Sequence, residues 1–371
     1  MPFDLSLSSP TAEATATLHI PCMREFLSAV QMLVPKKSTV GVLKYIRIRT
    51  DNTACTLTCN VLDCMAELSL NNPSGAGEID VAVDFTAFMR VVTQAPKGRL
   101  SIERTGNALS FNVNGVPCGT LQGIAGTDCP PDVLINPGTL RFERTFTDYD
   151  ITFTNKYIAP YCTDDPVLTA IRGIIVSWDG TNTGVAATNR HVLVGTRLLP
   201  DAKSACSILP VSFKMAGMFG EPVTLHAFEN GYTLSCKSCG TTFIIRGKFV
   251  DGPIPPTLNR LANIVVEHEY TVDVGSLRRE LNNLLSDIVV SPEGNYAVVL
   301  VYGPDTLSLT DVPKNYEFSK GTCIKVDALK LSKVLDRFQD TSVVTFRSGG
   351  ILERPTIWED CNGISLLMPL R

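Results

Sequence analysis

The sequence predicts an α+β fold built from three similar units, and three observations carry that prediction. Two kinds of segment alternate along the 371 residues, each joining a helical stretch to strand-like runs, and each kind occurs three times. The equivalent valines Val83, Val211 and Val326 recur at intervals of roughly 120 residues, the length of a small layered domain. Pro-rich stretches, CPPDVLINPG and GPIPPTLNR, fall between the repeats. The expected domains are residues 1–138, 139–262 and 263–371.

The first kind of segment supplies the helical stretches CMREFLSAVQMLVPKK, NKYIAPYCTDD and GSLRRELNNLLSDIVV. Each is followed by two strand runs around a turn: Asp51-Asn52, Asp179-Gly180 and Gly303-Pro304-Asp305. Gly, Asn and Asp tolerate the backbone angles that hairpin turns need. The second kind comprises VDFTAFMRVVTQAPKGRLSIERTGNALSFNV, PVSFKMAGMFGEPVTLHAFENGYTLSC and VDALKLSKVLDRFQDTSVVTFRSGG. Each reads helix, short break, strand, with turns such as Thr105-Gly106-Asn107 and Glu229-Asn230-Gly231 following in the first two. Phe85, Phe88, Met89 and Val92 share one helical face, as do Leu329, Leu331, Val334, Leu335 and Phe338. The closing stretch TIWEDCNGISLLMPL alternates as a last strand. Its tip is apolar (Leu366, Leu367, Met368, Pro369, Leu370), whereas termini are ordinarily polar and frayed. Such a tip either joins the core or builds a surface for a partner.

With 44% hydrophobic and 19% charged residues, the chain has material for packed cores, and global disorder is excluded. No run approaches the ~20 apolar residues of a membrane span. The first residues, MPFDLSLSSPTAEATATLHI, lack the basic start and apolar run of a signal peptide. A cytoplasmic protein with no membrane partner is expected. Twelve cysteines are scattered, so reduced thiols are expected. Cys236 and Cys239 form one close pair, but a zinc ribbon needs a second. Lys237 and Ser238 between them read as a hairpin turn, and neither a metal nor another cofactor is expected.

No catalytic constellation stands out. His19, His191, His226 and His268 are dispersed, and no Gly-rich phosphate loop or nucleophile elbow is present. The adjacent acids Asp164-Asp165 and Glu359-Asp360 read as solvated loop pairs. A non-enzyme is expected; a hydrolase or thiol enzyme that pairs one of the cysteines with His191 stays as the alternative. Charge points toward a different function. The net charge is −4, yet the helical stretches sum to a positive charge. Cations gathered on helices of an acidic protein fit contact with a phosphate backbone, and no base-reading motif accompanies them.

Four separated stretches resemble one family in the right order. VAATNRHVLVGTRL is similar to V-A-T-D-G-H-R-L-A of the bacterial β sliding clamps, the processivity subunits of replicative DNA polymerase. LLMPLR resembles V-V-M-P-M-R-L, FIIRGKFVDGPIPP resembles L-I-E-G-x-F-P-D-Y-x-x-V-I-P, and PKKSTVGVLKYIRI resembles N-T-L-P-I-L-x-x-I. The resemblance covers nearly the whole chain. It implies a head-to-tail homodimeric ring of similar DNA-clamp domains, with helices lining a hole and sheets outside. It implies double-stranded DNA bound without sequence specificity, a clamp loader, and polymerases and repair proteins that dock through short peptides. An alternative is a clamp-fold peptide-binding protein of a mobile element that no longer loads on DNA.

Carried over residue by residue, the resemblance implies a hole lining of Arg24, Lys37, Arg90, Lys97, Lys214, Arg278, Arg279, Lys333 and Arg337. The implied peptide pocket comprises Ile171, Thr188, Arg190, His191, Val192, Leu193, Val250, Ile254, Leu366, Met368, Pro369, Leu370 and Arg371. The implied ring contact pairs Gly119, Thr120 and Leu121 with Ile288, Val289 and Val290. This chain departs from the family at Arg190-His191-Val192, where Gly-His-Arg is usual, and at Phe249-Val250-Asp251-Gly252, where Phe-Pro-Asp-Tyr is usual. The first-domain V-P-A-R-K is replaced by Val83-Asp84-Phe85-Thr86-Ala87.

Overall fold

Alternating apolar and polar residues build the strands. In Tyr45–Thr50, Ile46, Ile48 and Thr50 are buried while Tyr45, Arg47 and Arg49 lie on the other face, the two-residue period of a half-buried strand. The computed structural model describes residues 14–35, 37–51, 53–71, 77–133, 136–197, 199, 202–238, 241–252, 254, 265–287, 297–311, 323–338, 342–349 and 354–370. Ile288, Val289, Val290, Arg371 and Cys239 lie outside the described residues.

The chain divides into two units, one of residues 1–152 and 211–249, the other of residues 153–210 and 250–371. Two sheets make up the first unit. The smaller has strand order β1 (Ala14–His19), β6 (Arg99–Thr105), β7 (Ala108–Val113), β8 (Val116–Gln122). The larger runs β10 (Leu140–Phe146), β15 (Val223–Phe228), β16 (Tyr232–Ser238), β17 (Thr241–Gly247), β4 (Cys64–Asn71), β3 (Ala54–Val61), β2 (Tyr45–Thr50), β5 (Asp80–Asp84), β9 (Ile124–Ala125). The antiparallel β17–β4 register from Thr241↔Leu70 to Gly247↔Cys64 makes this one continuous sheet across residue 139.

In the second unit the larger sheet runs β14 (Ser204–Ile208), β11 (Ile174–Trp178), β12 (Thr183–Thr188), β13 (Val192–Gly195), β24 (Gly363–Leu367), β23 (Thr356–Asp360), β22 (Val343–Ser348), β18 (His268–Asp273). A smaller sheet has the order β20 (Leu307–Asp311), β19 (Ala297–Tyr302), β21 (Cys323–Asp327). Trp358 is fully buried, meets Phe346 edge-on at 4.7 Å and donates its indole N–H to Thr356 Oγ1 at 3.0 Å.

Among the described residues the α-helices are α1 (Ile20–Val30), α2 (Phe85–Gln94), α3 (Asp148–Phe153), α4 (Pro210–Ala216), α5 (Val274–Asp287) and α6 (Ala328–Leu335). Val83 and Val326 each precede a capping aspartate: Asp84 accepts from Ala87 N at 2.8 Å and Asp327 from Lys330 N at 2.9 Å. These caps occupy the otherwise unpaired N–H groups of the first turn. Val211 instead lies inside α4, because Pro210 starts that helix.

Several sequence-derived elements need correction. The helix expected in NKYIAPYCTDD begins earlier, at Asp148 and not Asn155, and passes through a π-helical turn to a 3-10 turn ending at Tyr161. Lys237 and Ser238 belong to β16, opposite Thr242 and Thr241, so they are strand residues and not the expected turn. The stretch expected as a single last strand is a hairpin, β23 and β24, with Asp360 Oδ1 accepting from Asn362 N and Gly363 N at its turn. The five hairpin turns read from Gly, Asn and Asp do connect neighbouring strands.

Candidate functional site

The turn between β12 and β13 is tied by its own side chains. Thr188 Oγ1 donates to Val192 O at 2.9 Å and accepts from Arg190 N at 3.2 Å. Asn189 Oδ1 accepts from His191 N at 3.2 Å and Val192 N at 2.9 Å. These bonds hold Arg190 at φ +76°, a left-handed conformation that costs a residue with a Cβ. A glycine at this position would meet the same requirement without that cost.

Beside the turn runs the apolar C-terminal strand. Val192 pairs with Leu367 and Leu193 with Leu366, and Met368 N continues the ladder by donating to His191 O at 2.8 Å. Leu370 N then donates to Lys325 O at 2.9 Å. The structure thus brings together Thr188, Arg190, His191, Val192, Leu193, Leu366 and Met368. Ile171 sits on a separate 3-10 turn, and Val250 N is held by Ser207 O at 2.9 Å, on β14, with β11 and β12 between it and β13.

Burial sorts the expected pocket residues into two classes. Ile171, Val192, Leu193 and Leu366 are core groups, and Leu193 and Leu366 cluster with Ala186 and Ile357. Thr188, Val250, Ile254, Met368, Pro369 and Leu370 are half-buried, and Arg190 and His191 are exposed. Only the second group is accessible enough to touch a ligand; the first is packed in the core. Partial burial, then the charges of Lys330 and Arg190, push the His191 imidazole below its usual range, against the opposing pull of Asp327. A ring held below its ordinary range is neutral at pH 7.

The helix cations also divide. Lys37, Arg90, Lys97, Lys214, Arg279 and Lys333 are exposed. Arg24 reaches from α1 to the end of α2, donating to Val92 O at 3.1 Å, Thr93 O at 3.1 Å and Ala95 O. Arg278 repeats the arrangement, donating from α5 to Leu335 O at 2.6 Å and Phe338 O at 2.9 Å beyond α6. A cation on the last carbonyls satisfies groups the helix leaves free and complements its negative end. Arg337 departs from the expected hole lining. Its side chain is 2% exposed, bonded to Asp360 at 2.9 Å and Ser365 at 2.7 Å, and packed on Phe338. Helical spacing could not reveal this, because the acid that holds it comes from a distant hairpin.

Gly119, Thr120 and Leu121 lie on β8, which pairs with β7 and ends its sheet, so its outer edge has no neighbour among the described strands. Such an edge is a template for another strand. Among the described residues, the Cys–His contact joins Cys22 Sγ to His19 Nδ1 at 3.5 Å. Among the described residues no three metal-binding side chains gather, and no helix is long and apolar enough to cross a membrane.

No family model and no curated protein matches the chain by sequence. Solved structures do match. A DNA polymerase III subunit beta sliding clamp of Pseudomonas aeruginosa bound to griselimycin superposes with a TM-score of 0.74 at 15% identity, covering 97% of this chain and 100% of that one. The fold is that of the bacterial sliding clamps. The Helicobacter pylori beta clamp bound to a DNA ligase peptide gives 0.72 at 14% identity, over 96% of this chain and 100% of its own. The sliding clamp of Caulobacter crescentus gives 0.74 at 15%, over 96% and 99%. The clamp fold therefore spans almost all of a very divergent sequence.

Proposed function

We propose that the protein is a DNA sliding clamp, a non-catalytic processivity factor that encircles duplex DNA and tethers polymerases and repair proteins. The carrying observation is the sliding-clamp fold over 96–97% of the chain, at full length against its structural relatives. In this reading two copies close head to tail into a ring of similar domains, taken from residues 1–138, 139–262 and 263–371 of each. The free edge at Gly119–Leu121 pairs with residues 288–290 of the second copy, a heterologous contact that closes. Exposed Lys37, Arg90, Lys97, Lys214, Arg279 and Lys333 meet the phosphates, with charge from Arg24 and Arg278. The contact is salt-sensitive and blind to sequence. A loader opens the ring, and partners dock short peptides at the β12–β13 turn and the Met368–Leu370 segment.

Retention on nicked circular DNA in the presence of the cognate loader tests this. Retention should vanish when the circle is cut, because a ring slides off an end. Reversing Lys37, Arg90 and Lys97 to Glu should reduce loading while the dimer persists in sedimentation. Peptide binding without any retention would favour the peptide-binding alternative over the clamp. Val289→Asp with Val290→Asp should yield monomers, since an unpaired charge at a contact is costly; a dimer in that double variant would remove the interface assignment.

A further inference from the structure

We infer that Arg190 selects partner peptides carrying an acidic residue beside their apolar anchors; this rests on the peptide-docking reading of the β12–β13 turn. Three observations meet at one residue. Arg190 is a non-glycine residue held at φ +76°, so the chain bears backbone strain to place a side chain there. That side chain is exposed, and among the described residues no hydrogen bond or ion pair engages its guanidinium. It stands beside the half-buried apolar segment Met368–Leu370, since its neighbour His191 carries the carbonyl that receives Met368 N.

The surrounding charge offers no partner from within. Lys330 adds positive charge next to His191. The acid that acts on His191, Asp327, is already used twice: one oxygen caps α6 through Lys330 N, and the other lies 3.5 Å from Lys330 Nζ. It is also buried, at 7% exposure. The mouth of the site is therefore cationic around apolar walls. An incoming carboxylate completes it with the planar, two-pronged pairing that a guanidinium favours. A glutamine at the same peptide position accepts only a neutral hydrogen bond.

The test uses fluorescein-labelled nonapeptides carrying one Leu and one Phe anchor, with Glu or Gln scanned through the flanking positions. Polarisation titrations on the full chain at low salt should show, at one position, Glu binding about two- to fivefold tighter than Gln, the range of an exposed ion pair. Raised salt should erase the difference. Arg190→Gln should abolish the difference between Glu and Gln peptides, and Arg190→Lys should keep part of it. Equal affinity of Glu and Gln peptides at every position overturns the acidic selection and leaves the docking site standing. No binding by any peptide to the folded wild type overturns the docking site itself. A preference surviving Arg190→Gln assigns the acidic contact to another cation.

Discussion

Replacing Arg337 by Ala should destabilise the second unit by about 3–4 kcal/mol. Removing one member of a buried ion pair costs about 3–5 kcal/mol, chiefly because the other charge is stranded. Here the stranded group is Asp360, 11% exposed, which keeps its bonds from Asn362 N and Gly363 N and so falls toward the lower end. The lost bond to Ser365 and the lost stacking on Phe338 add to it. With a urea slope of about 3 kcal/mol/M, the midpoint should fall by about 1 M. Fluorescence of the fully buried Trp358 reports on this unit. Arg337→Met combined with Asp360→Leu should recover most of the loss, since it removes both charges together. DNA retention per folded molecule should be unchanged in Arg337→Ala. An unshifted urea midpoint together with weakened retention would mean that Arg337 faces the phosphates after all.

Arg190→Gly should gain no more than about 1 kcal/mol, because relief of left-handed strain is partly offset by glycine's freedom when unfolded; a loss above that in urea titration would reveal a stabilising contact. Gly126→Ala should cost about 1–2 kcal/mol in thermal unfolding, since a Cβ there would come within 1.8 Å of Asp80 Oδ1 and 2.8 Å of Arg47 Nε, forcing apart a half-exposed pair. Burial pushes Cys55, Cys59 and Cys236 up to about 12 and Cys64 to about 11, whereas Cys361 is exposed. Mass spectrometry after thiol labelling at pH 8 should therefore find Cys361 modified while these four stay protected. Backbone bonds from Asn182 and Thr181 lower Asp179 to about 2. Its contribution to the β11–β12 turn is present above the unfolded value near 3.8 and lost as pH falls through 2, which carboxylate titration by NMR would follow.

The repeated pattern was legible wherever local chemistry decided it. Gly, Asn and Asp turns placed the hairpins, and the alternation of Ile46, Ile48 and Thr50 against Arg47 and Arg49 placed a strand face. Helix limits were less legible: α1 ends at Val30, although apolar spacing continues past it, because tertiary packing rather than propensity sets where a helix stops. The closeness of the β12–β13 turn to the C-terminal strand was legible only through the resemblance, and the accessible surface was not legible at all. Sequence cannot separate Leu193 and Leu366, which are buried, from Met368 and Leu370, which are half-buried, because burial depends on what packs from elsewhere. Arg337 illustrates the same limit. Its spacing on a helix matched that of solvent-facing cations, and only the fold revealed Asp360 opposite it.

The seam between β17 and β4 has a consequence for how such a chain can be cut. Its seven-residue register joins a strand from after residue 240 to one from before residue 72. A fragment ending near residue 138 would leave β4 with an open row of N–H and C=O groups, and such bare edges recruit other chains. The β13–β24 ladder ties residues 192–195 to 364–367 in the same way. The repeats are sewn together rather than strung, so loss of one repeat tears a sheet instead of shortening the protein.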